Sequence, residues 1–376
     1  MKRCYADANW STILRFLPVG WEEQAKALGA LRRLRKVSSA EKLLRVLMIH
    51  LVDGCSLRET VTRACQGRLA VISDVALFKR LKTASEWLRW LAVGLLAHRR
   101  CLTERPKWLQ DYRLRCVDAT VVCEPGSTGT DWRLHYSLDP FQLSCEHFLV
   151  TQPDVGESYT NFPVVAGDIL IGDRVYGTLN GMWHVKNHGG DFIVRLRSKA
   201  FRCRVPETGA EVNLLRALKQ LRVGDVGDWE VEAWIPQQRS MRLRICGVRK
   251  SKEAAEEAIR RAVWKARDKG QTLDPETLEL HRYVVLATSL TPAVMNAEQV
   301  TECYRIRWQI EIAFKRLKSL IGLGHLPKLD KESARAWIHG KVFAALLVQA
   351  LVDEGRHFSP WGYLLGHPEL DRQSVA

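Results

Sequence analysis

The segment from Tyr304 to Lys318 is the feature that most constrains what this chain can fold into. It contains no proline or glycine and runs on to Gly322 and Gly324, which predicts one helix that ends at those glycines. At about 100° per residue, four polar side chains fall within roughly 60° of one another, namely Tyr304, Arg307, Glu311 and Lys318. An apolar arc beside them predicts the buried face of the helix: Ile306, Ile310, Ala313, Phe314, Leu317 and Ile321.

Two interpretations of this strip are open. An ordinary amphipathic helix would carry surface ion pairs from Arg307 to Glu311 and from Glu311 to Lys315. The spacing Tyr-x2-Arg-x3-Glu-x6-Lys is more specific, because chance supplies it in roughly a few sequences per thousand of this length. It resembles the signature of the bacterial DDE transposases, whose catalytic residues are two aspartates and a glutamate, and within them the insertion-sequence-four family.

The charge of the chain favours a polyanionic partner. The 376 residues carry a formal net charge of +15, with a sequence pI near 9.5. A membrane surface is the competing polyanion, but the apolar runs Trp90–Ala97 and Val342–Val352 are too short to span a bilayer. The N-terminal residues have no apolar segment typical of a secretion signal. We therefore expect no membrane partner.

The cysteines predict a reducing environment. Ten are scattered singly, without a CxxC pair or a Cys/His cluster, so neither disulfides nor structural zinc are expected. A bacterial cytoplasmic, nucleoid-associated location fits this pattern.

Residues 1–105 predict an all-helical N-terminal domain. Residues Ser38-Ser39-Ala40-Glu41 have the form of a capping box that opens a helix, Ser56-Leu57-Arg58-Glu59 opens another, and Lys79–Leu96 predicts a further helix. Two basic clusters lie in this region: Arg32, Arg33, Arg35 and Lys36, and then Lys79, Arg80 and Lys82. Each cluster is either a solvated rim or a set of phosphate contacts from a DNA-binding domain.

Two aspartates stand out among the predicted strands that follow. Asp118 lies in the middle of the strand Arg113–Val122, where a carboxylate is costly unless it is paired or bound to a metal. Asp173 ends the short apolar strand that begins at Asp168. The alternatives are a buried carboxylate satisfied by an arginine for Asp118, and a capping or turn residue for Asp173. Asp168 competes with Asp173 but is expected to be a turn residue.

The coarse pattern predicts an α+β multidomain chain. The expected divisions are a helical domain at 1–105, the first part of an α/β catalytic core at 106–199, a β-rich insertion at 200–290, and the second part of the core with C-terminal helices at 291–376. The insertion is predicted because short strands between glycine- and proline-containing loops interrupt the core before the Glu311 helix.

Three carboxylates on one site suit hard divalent cations. Asp118, Asp173 and Glu311 could hold two Mg²⁺ ions, with Mn²⁺ as a substitute, and two such ions support phosphodiester displacement. Arg307, Lys315 and Lys318 could then grip the charged phosphodiester, while the Tyr304 hydroxyl donates to a phosphate oxygen.

The resemblance covers most of the chain and implies more. It implies a ribonuclease H-like core, with Asp118, Asp173 and Glu311 as catalytic metal ligands and Tyr304, Arg307 and Lys318 as contacts to the DNA end. Relatives place a tryptophan near the end of the insertion to hold a flipped base, and this chain has Tyr283 there. Tyr283 and Trp308 are therefore base-stacking candidates, with core aromatic residues as the alternative.

The function implied by the resemblance is cut-and-paste transposition of an insertion sequence. A homodimer would bind double-stranded DNA at two terminal inverted repeats, cleave each end, and join the 3′-hydroxyls to target DNA. A non-catalytic DNA-binding protein, such as a repressor or a domesticated transposase, is one alternative. A metal-dependent nuclease that cleaves without strand transfer is the other.

Overall fold

The computed structural model describes residues 10–34, 36–97, 109–197, 202–234, 240–327 and 329–357. The domain boundaries expected at residues 105/106 and 199/200, and Arg35 of the first basic cluster, lie outside these ranges.

The N-terminal region is built from six helices in the part of the chain that is described: α1 (Trp10–Leu14), α2 (Trp21–Ala27), α3 (Ala40–Leu51), α4 (Leu57–Gln66), α5 (Asp74–Thr83) and α6 (Ser85–Ala97). Both predicted helix starts are confirmed. Ser39, one residue after the start of the predicted capping box, accepts a hydrogen bond from the Lys42 amide, and Ser56 accepts one from the Glu59 amide, each at 3.1 Å.

The single helix predicted for Lys79–Leu96 is wrong. Two helices meet at Ala84, whose amide donates back to the carbonyls of Arg80 and Leu81 at 3.0 and 3.1 Å. The second helix starts there, because the carbonyl of Ala84 accepts from the Leu88 amide at 2.9 Å. Leu81 before the break and Leu88 after it are both buried, so the apolar pattern continues across the break between the two helices.

Nine strands form one mixed sheet within the described ranges: β1 (Arg113–Val122), β2 (Trp132–Asp139), β3 (Ser144–Thr151), β4 (Asp168–Gly172), β5 (Asp191–Arg195), β6 (Arg202–Arg204), β7 (Val226–Trp234), β8 (Met241–Arg249) and β9 (Tyr283–Thr288). Their order is β3-β2-β1-β4-β5-β9-β8-β7-β6. The pairs β1/β4 and β4/β5 are parallel, and all other neighbours are antiparallel. Helix α7 (Leu179–Asn187) connects β4 to β5, as a parallel pair requires.

The segment from residue 200 to residue 290 continues this sheet. Its strands β6, β7 and β8 join the rest through β9, which pairs with both β5 and β8. Three helices accompany them: α8 (Leu214–Lys219), α9 (Lys252–Asp268) and α10 (Pro275–Leu280). Backbone hydrogen bonds therefore link this segment to β5, the strand that precedes it.

Alternation along the central strands divides the core into two faces. Cys116 of β1 and Ile171 of β4 belong to the larger cluster, which the N-terminal helices share. Val117 and Leu170 belong to a second cluster on the opposite face, together with Tyr176 and residues of the 200–290 segment.

The last helix of the described chain, α13 (Lys331–His357), lies in the larger cluster and packs against α5, α6 and β3. By length and hydropathy alone, Lys331–Glu354 qualifies as a candidate membrane span, but 61% of that window is buried inside the protein. This burial is what a core helix requires.

The segment predicted as one helix from Tyr304 to Lys318 forms two helices, α11 (Ala297–Arg305) and α12 (Trp308–Ser319). Between them the backbone hydrogen bonds join residues three apart, as in a 3₁₀ turn. The Arg307 amide donates to the Tyr304 carbonyl, and the Gln309 amide donates to the Ile306 carbonyl. The predicted core face is otherwise confirmed, since Ile310 and two further residues of α12 are buried. Tyr304 and Glu311 therefore stand on separate helices.

Asp168 is not a turn residue, as the sequence suggested, but the first residue of β4 with its side chain fully buried. Burial raises the pKa of its carboxyl, but hydrogen bonds from Arg113 and from the Val165 amide outweigh burial, and the pKa is lowered overall.

Candidate active site

The parallel pairing of β1 with β4 places two aspartates side by side. Cys116 pairs with Ile171 at the end of the hydrogen-bonded register. Asp118 and Asp173 each lie two positions further along their strands, so they occupy matching positions at the carboxyl end of β4. Adjacent parallel strands end at the same edge of a sheet, which is where ligands bind in open α/β sheets.

Backbone amides fix the orientation of both carboxylates. Asp118 Oδ1 accepts from the Ala119 amide, and Asp173 Oδ1 accepts from the Val175 amide, each at 2.8 Å. The pKa of Asp118 is raised to about 7, chiefly by burial and also by the charge of Asp173, while the Ala119 amide and Arg307 act in the opposite direction. Burial therefore penalises the charged form of Asp118 more than its protein neighbours stabilise it.

Helix α12 contacts β2, and the loop that follows the helix is bonded to the end of β1. The Phe314 ring packs edge-on against Tyr136 of β2, with 5.8 Å between the ring centroids. After the helix, Gly324 accepts from the Cys123 amide at 3.2 Å, and the Leu326 amide donates to the Cys123 carbonyl at 2.8 Å. These contacts hold the helix of Glu311 beside the end of β1.

Arg307 joins Asp118 to Glu311. Its Nη1 lies 3.7 Å from Asp118 Oδ2, and its Nη2 donates to Glu311 Oε1. The arginine and Asp118 side chains are each 18% exposed, whereas Glu311 is 41% exposed. The structure thus brings Asp118 and Glu311 together through Arg307, which the sequence predicted as a DNA contact. Asp173 lies next to Asp118 on the neighbouring strand.

The donor set of the aspartate pair suits a hard divalent cation, because carboxylate oxygens are the ligands that such ions prefer, and a bound ion would stabilise the charged form of Asp118 that burial disfavours. Within the described residues, however, no group of three His, Cys, Asp or Glu side chains is arranged to hold one ion. Instead, the guanidinium of Arg307 contacts both Asp118 and Glu311.

The remaining residues predicted on this strip lie on two helices, with Tyr304 on α11 and with Trp308, Lys315 and Lys318 on α12. The Arg307 guanidinium carbon lies 5.8 Å from the centre of the Tyr304 ring, and burial raises the pKa of the Tyr304 hydroxyl. Trp308 is 59% exposed, so its ring is free to contact a partner. Lys315 and Lys318 are exposed and line a cavity of about 560 Å³ at the end of α12.

Tyr283 is not brought together with these residues. It is 2% exposed at the start of β9 and belongs to the second core cluster. The predicted base-stacking role does not fit this placement, because a ring buried to this extent has no free face for a base. The alternative of a core tyrosine accounts for its position.

A basic cavity beside Tyr283 was missed at the sequence level. It has a volume of about 520 Å³, and its lining includes Arg174, Arg195, Arg197 and Lys269. The pKa of Arg174 is lowered to about 10, chiefly by burial and also by the charge of Arg195. In the described structure the buried Nε of Arg174 has no hydrogen-bond partner. The sequence did contain an indication of this cavity. Arg174 follows Asp173 and Arg195 ends β5, so both arginines lie at the same edge of neighbouring parallel strands.

Glu157 is a second residue that the sequence did not single out. Burial raises the pKa of its carboxyl, and the charge of Asp173 raises it further, which places Glu157 near the aspartate pair. Its Oε1 also lies 3.6 Å from Arg133 Nε. It precedes a short helical turn in a loop without regular periodicity, so no sequence pattern marked it.

The site and the sequence together define a class of protein. The profile described as the transposase DDE domain matches residues 109–347, a span that contains Asp118, Asp173, Arg307 and Glu311. The chain belongs to this family of DDE transposases.

Relatives similar over nearly the whole chain come from Escherichia coli. A putative transposase InsL for insertion sequence element IS186A of strain K12 is 35% identical over 363 residues, covering 95% of this chain and 97% of the relative. The transposase for insertion sequence element IS421 is 35% identical over 364 residues, with the same coverage. The transposase for insertion sequence element IS231B of Bacillus thuringiensis subsp. berliner is 23% identical, covering 87% of this chain and 75% of the relative.

Proposed function

We propose that this protein is an insertion-sequence transposase that binds the terminal inverted repeats of its element and catalyses metal-dependent DNA cleavage and strand transfer. The observation that carries the proposal is the adjacency of Asp118 and Asp173 on parallel strands, with Glu311 linked to Asp118 through Arg307. Family membership supplies the reaction class, since the relatives are named as transposases for insertion sequences.

We propose a ribonuclease H-like core for the strands that carry the site. The first five strands have the order β3-β2-β1-β4-β5, with β2 antiparallel and β4 parallel to β1. Helix α12 then returns to β1 from a distant part of the sequence. This arrangement supports the core that the resemblance implies, because it gathers one residue each from two strands and a later helix.

Asp118, Asp173 and Glu311 would hold two Mg²⁺ ions, with Mn²⁺ as a substitute. Bound ions of this kind neutralise the phosphodiester and increase the nucleophilicity of an attacking water or 3′-hydroxyl. For Glu311 to contribute, Arg307 must move from the carboxylates. A phosphodiester offers the same guanidinium a bidentate anionic partner, so DNA would compete with Asp118 and Glu311 for it.

The chemistry divides into two displacements at phosphorus. In the first, water attacks at the element end, the bond to the 3′-oxygen breaks, and that oxygen leaves and takes up a proton. In the second, the freed 3′-hydroxyl loses its proton, attacks a phosphodiester of target DNA, and displaces another 3′-oxygen. In both steps Arg307 and Tyr304 would orient the phosphate by donating hydrogen bonds to its oxygens.

DNA would extend from this centre over two basic surfaces. Lys315 and Lys318 continue along α12 from Glu311, and the Arg174 cavity adjoins Asp173.

In the N-terminal region, Lys82 contacts Asp330 at 2.9 Å and Glu332 at 3.4 Å, so it links α5 to the start of α13. That pairing favours a structural role for Lys82 over a phosphate contact. A homodimer would be required to pair two ends.

An end-cleavage assay tests the proposal. The substrate is DNA carrying the flanking ends of the element, incubated with Mg²⁺ and with native protein, Asp118→Asn or Glu311→Gln. We expect nicked and excised products from the native protein only, with binding to the ends retained by both variants. Joined products would distinguish a transposase from a nuclease. Specific binding without cleavage by native protein, in Mg²⁺ or Mn²⁺, would instead identify a non-catalytic DNA-binding protein.

A further inference from the structure

Two histidines take no part in the candidate active site: His184 lies in helix α7, and His188 is the residue that follows the last residue of that helix. They are four residues apart, and their ring centroids lie 4.5 Å from each other with an angle of 48° between the planes. Residues at this spacing occupy the same face of a helix. Two imidazoles at i and i+4 on one helix face form a recurring half-site for zinc in proteins.

Backbone carbonyls determine the tautomer of each neutral ring. His184 Nε2 lies 3.1 Å from the Phe162 carbonyl, and His188 Nδ1 lies 2.7 Å from the His184 carbonyl. Because a carbonyl oxygen only accepts, each of these nitrogens carries the proton. His184 Nδ1 and His188 Nε2 are left with lone pairs. A hydrogen bond from the non-ligating nitrogen to a carbonyl is the usual way in which a metal-binding histidine is oriented.

The two rings share a cavity of about 450 Å³. Its wall also includes Thr160, Asn180 and Asn187, whose side chains carry oxygen atoms. His188 and Asn187 are exposed, so the cavity is open to solvent and a hydrated ion has access to it. No acidic residue is among the residues that line it, which distinguishes its chemistry from that of the aspartate pair.

We propose that His184 and His188 bind a transition-metal ion of the borderline class, such as Zn²⁺, Ni²⁺ or Cu²⁺. Imidazole nitrogen suits these ions, whereas Mg²⁺ prefers carboxylate and water oxygen, so the two sites select different metals. At metal–nitrogen distances near 2.0 Å, one ion contacts both lone-pair nitrogens. Water and the oxygens of Thr160 or an asparagine complete its coordination.

Binding would tie two segments of the fold together. His184 connects α7 to the loop at Phe162, immediately after the short helical turn Tyr159–Asn161. An ion on the pair fixes both rings, and Thr160 lies on the same cavity wall. Since the ion binds the folded arrangement, it stabilises the protein by mass action. This inference is independent of the proposed transposase activity.

The experiment uses Cu²⁺ as a spectroscopic probe and Ni²⁺ for calorimetry. One equivalent of Cu²⁺ is added to the full-length protein, and nitrogen couplings are recorded by electron paramagnetic resonance. His188→Asn and His184→Asn are compared with native protein and with His325→Asn, a matched exposed histidine outside the cavity. Asp118→Asn is included to distinguish metal binding at the histidines from metal binding at the aspartate pair.

We expect couplings from two nitrogens and one Ni²⁺ equivalent in native protein, His325→Asn and Asp118→Asn. Either cavity variant should lose the two-nitrogen signal and that equivalent, and Ni²⁺ should no longer raise its melting temperature. His188 is exposed, so its substitution does not threaten folding. The proposal is overturned if native protein shows no two-nitrogen signal, or if the signal persists in His188→Asn.

Discussion

Arg115 and Asp168 form an ion pair inside the protein, with 2.9 Å between Arg115 Nη1 and Asp168 Oδ2 and with 2% and 0% of their side chains exposed. Arg115 also donates to the Ser137 hydroxyl at 3.0 Å and to the Pro163 carbonyl at 2.6 Å. The pair joins β1 to β4, three residues before Asp118 on the first strand and five before Asp173 on the second. It therefore helps to fix the register that places the two aspartates side by side.

Asp168→Asn should destabilise the protein by about 3 kcal/mol, because it removes one of the two carboxylates that compensate the buried guanidinium of Arg115 among the described residues and leaves only Glu146, whose Oε2 lies 3.2 Å from Arg115 Nε. The measurement is urea-induced unfolding at pH 7. Asp268→Asn, at the exposed end of α9, is the matched control and should change stability by less than about 0.5 kcal/mol. Equal stability of the two variants would contradict a structural role for the pair.

The role of Asp168 could not be predicted from local sequence. An aspartate before an apolar run is typical of a turn, and the arginines that hold it are 53 and 55 residues away in the chain. Local patterns do determine much of the remaining structure. The caps at Ser39 and Ser56 depend on hydrogen bonds three residues away, and the sequence predicted the second at its own residue and the first to within one residue.

Stability should fall between pH 7 and pH 5, because burial lowers the pKa of His339 to about 4 from an ordinary 6.5. Above pH 6.5 the ring is neutral in both the folded and unfolded states. Below that pH the unfolded chain binds a proton that the folded protein excludes, so stability is lost progressively down to about pH 4. We expect a loss of about 2 kcal/mol from this histidine at pH 5, measured by urea unfolding.

His339→Asn provides the test of that assignment. Asparagine retains polar atoms near Ser85, whose carbonyl lies 3.0 Å from His339 Nδ1, but it does not titrate. The variant should lose less stability than native protein between pH 7 and pH 5, whereas the exposed His325→Asn should behave like native protein. An unchanged pH dependence in His339→Asn would exclude this residue as the cause.

The candidate site was partly predictable for a specific reason. The spacing of Arg307 and Glu311 is local, so their contact followed from helical periodicity. The turn that separates α11 from α12 was not apparent, since Ile306 and Arg307 are compatible with a continuous helix. The cavity around Arg174 depends on the order of strands in the sheet, which local spacing does not specify.

Arg307→Gln should strengthen Mn²⁺ binding in the absence of DNA and weaken DNA binding. Removing the guanidinium frees Asp118 and Glu311 from a competing cation, while the lost phosphate contact should lower the salt slope of DNA binding by about 0.9. Calorimetry with Mn²⁺ and salt-dependent fluorescence anisotropy measure the two effects. The exposed Arg305→Gln is the control and should leave Mn²⁺ binding unchanged. Unaltered Mn²⁺ affinity in Arg307→Gln would contradict the competition.

Arg174→Gln should raise the melting temperature of the DNA-free protein while it weakens binding to the element ends. Arg174 lies half-buried near Arg195, and its Nε has no hydrogen-bond partner among the described residues, so removing its charge relieves repulsion and desolvation. A stabilising change that costs function is typical of a residue retained for a ligand. Arg260→Gln is the control, because Arg260 is 67% exposed and already paired with Glu257. If Arg174→Gln stabilises the protein and binds the ends as tightly as Arg260→Gln does, then the cavity takes no part in holding DNA.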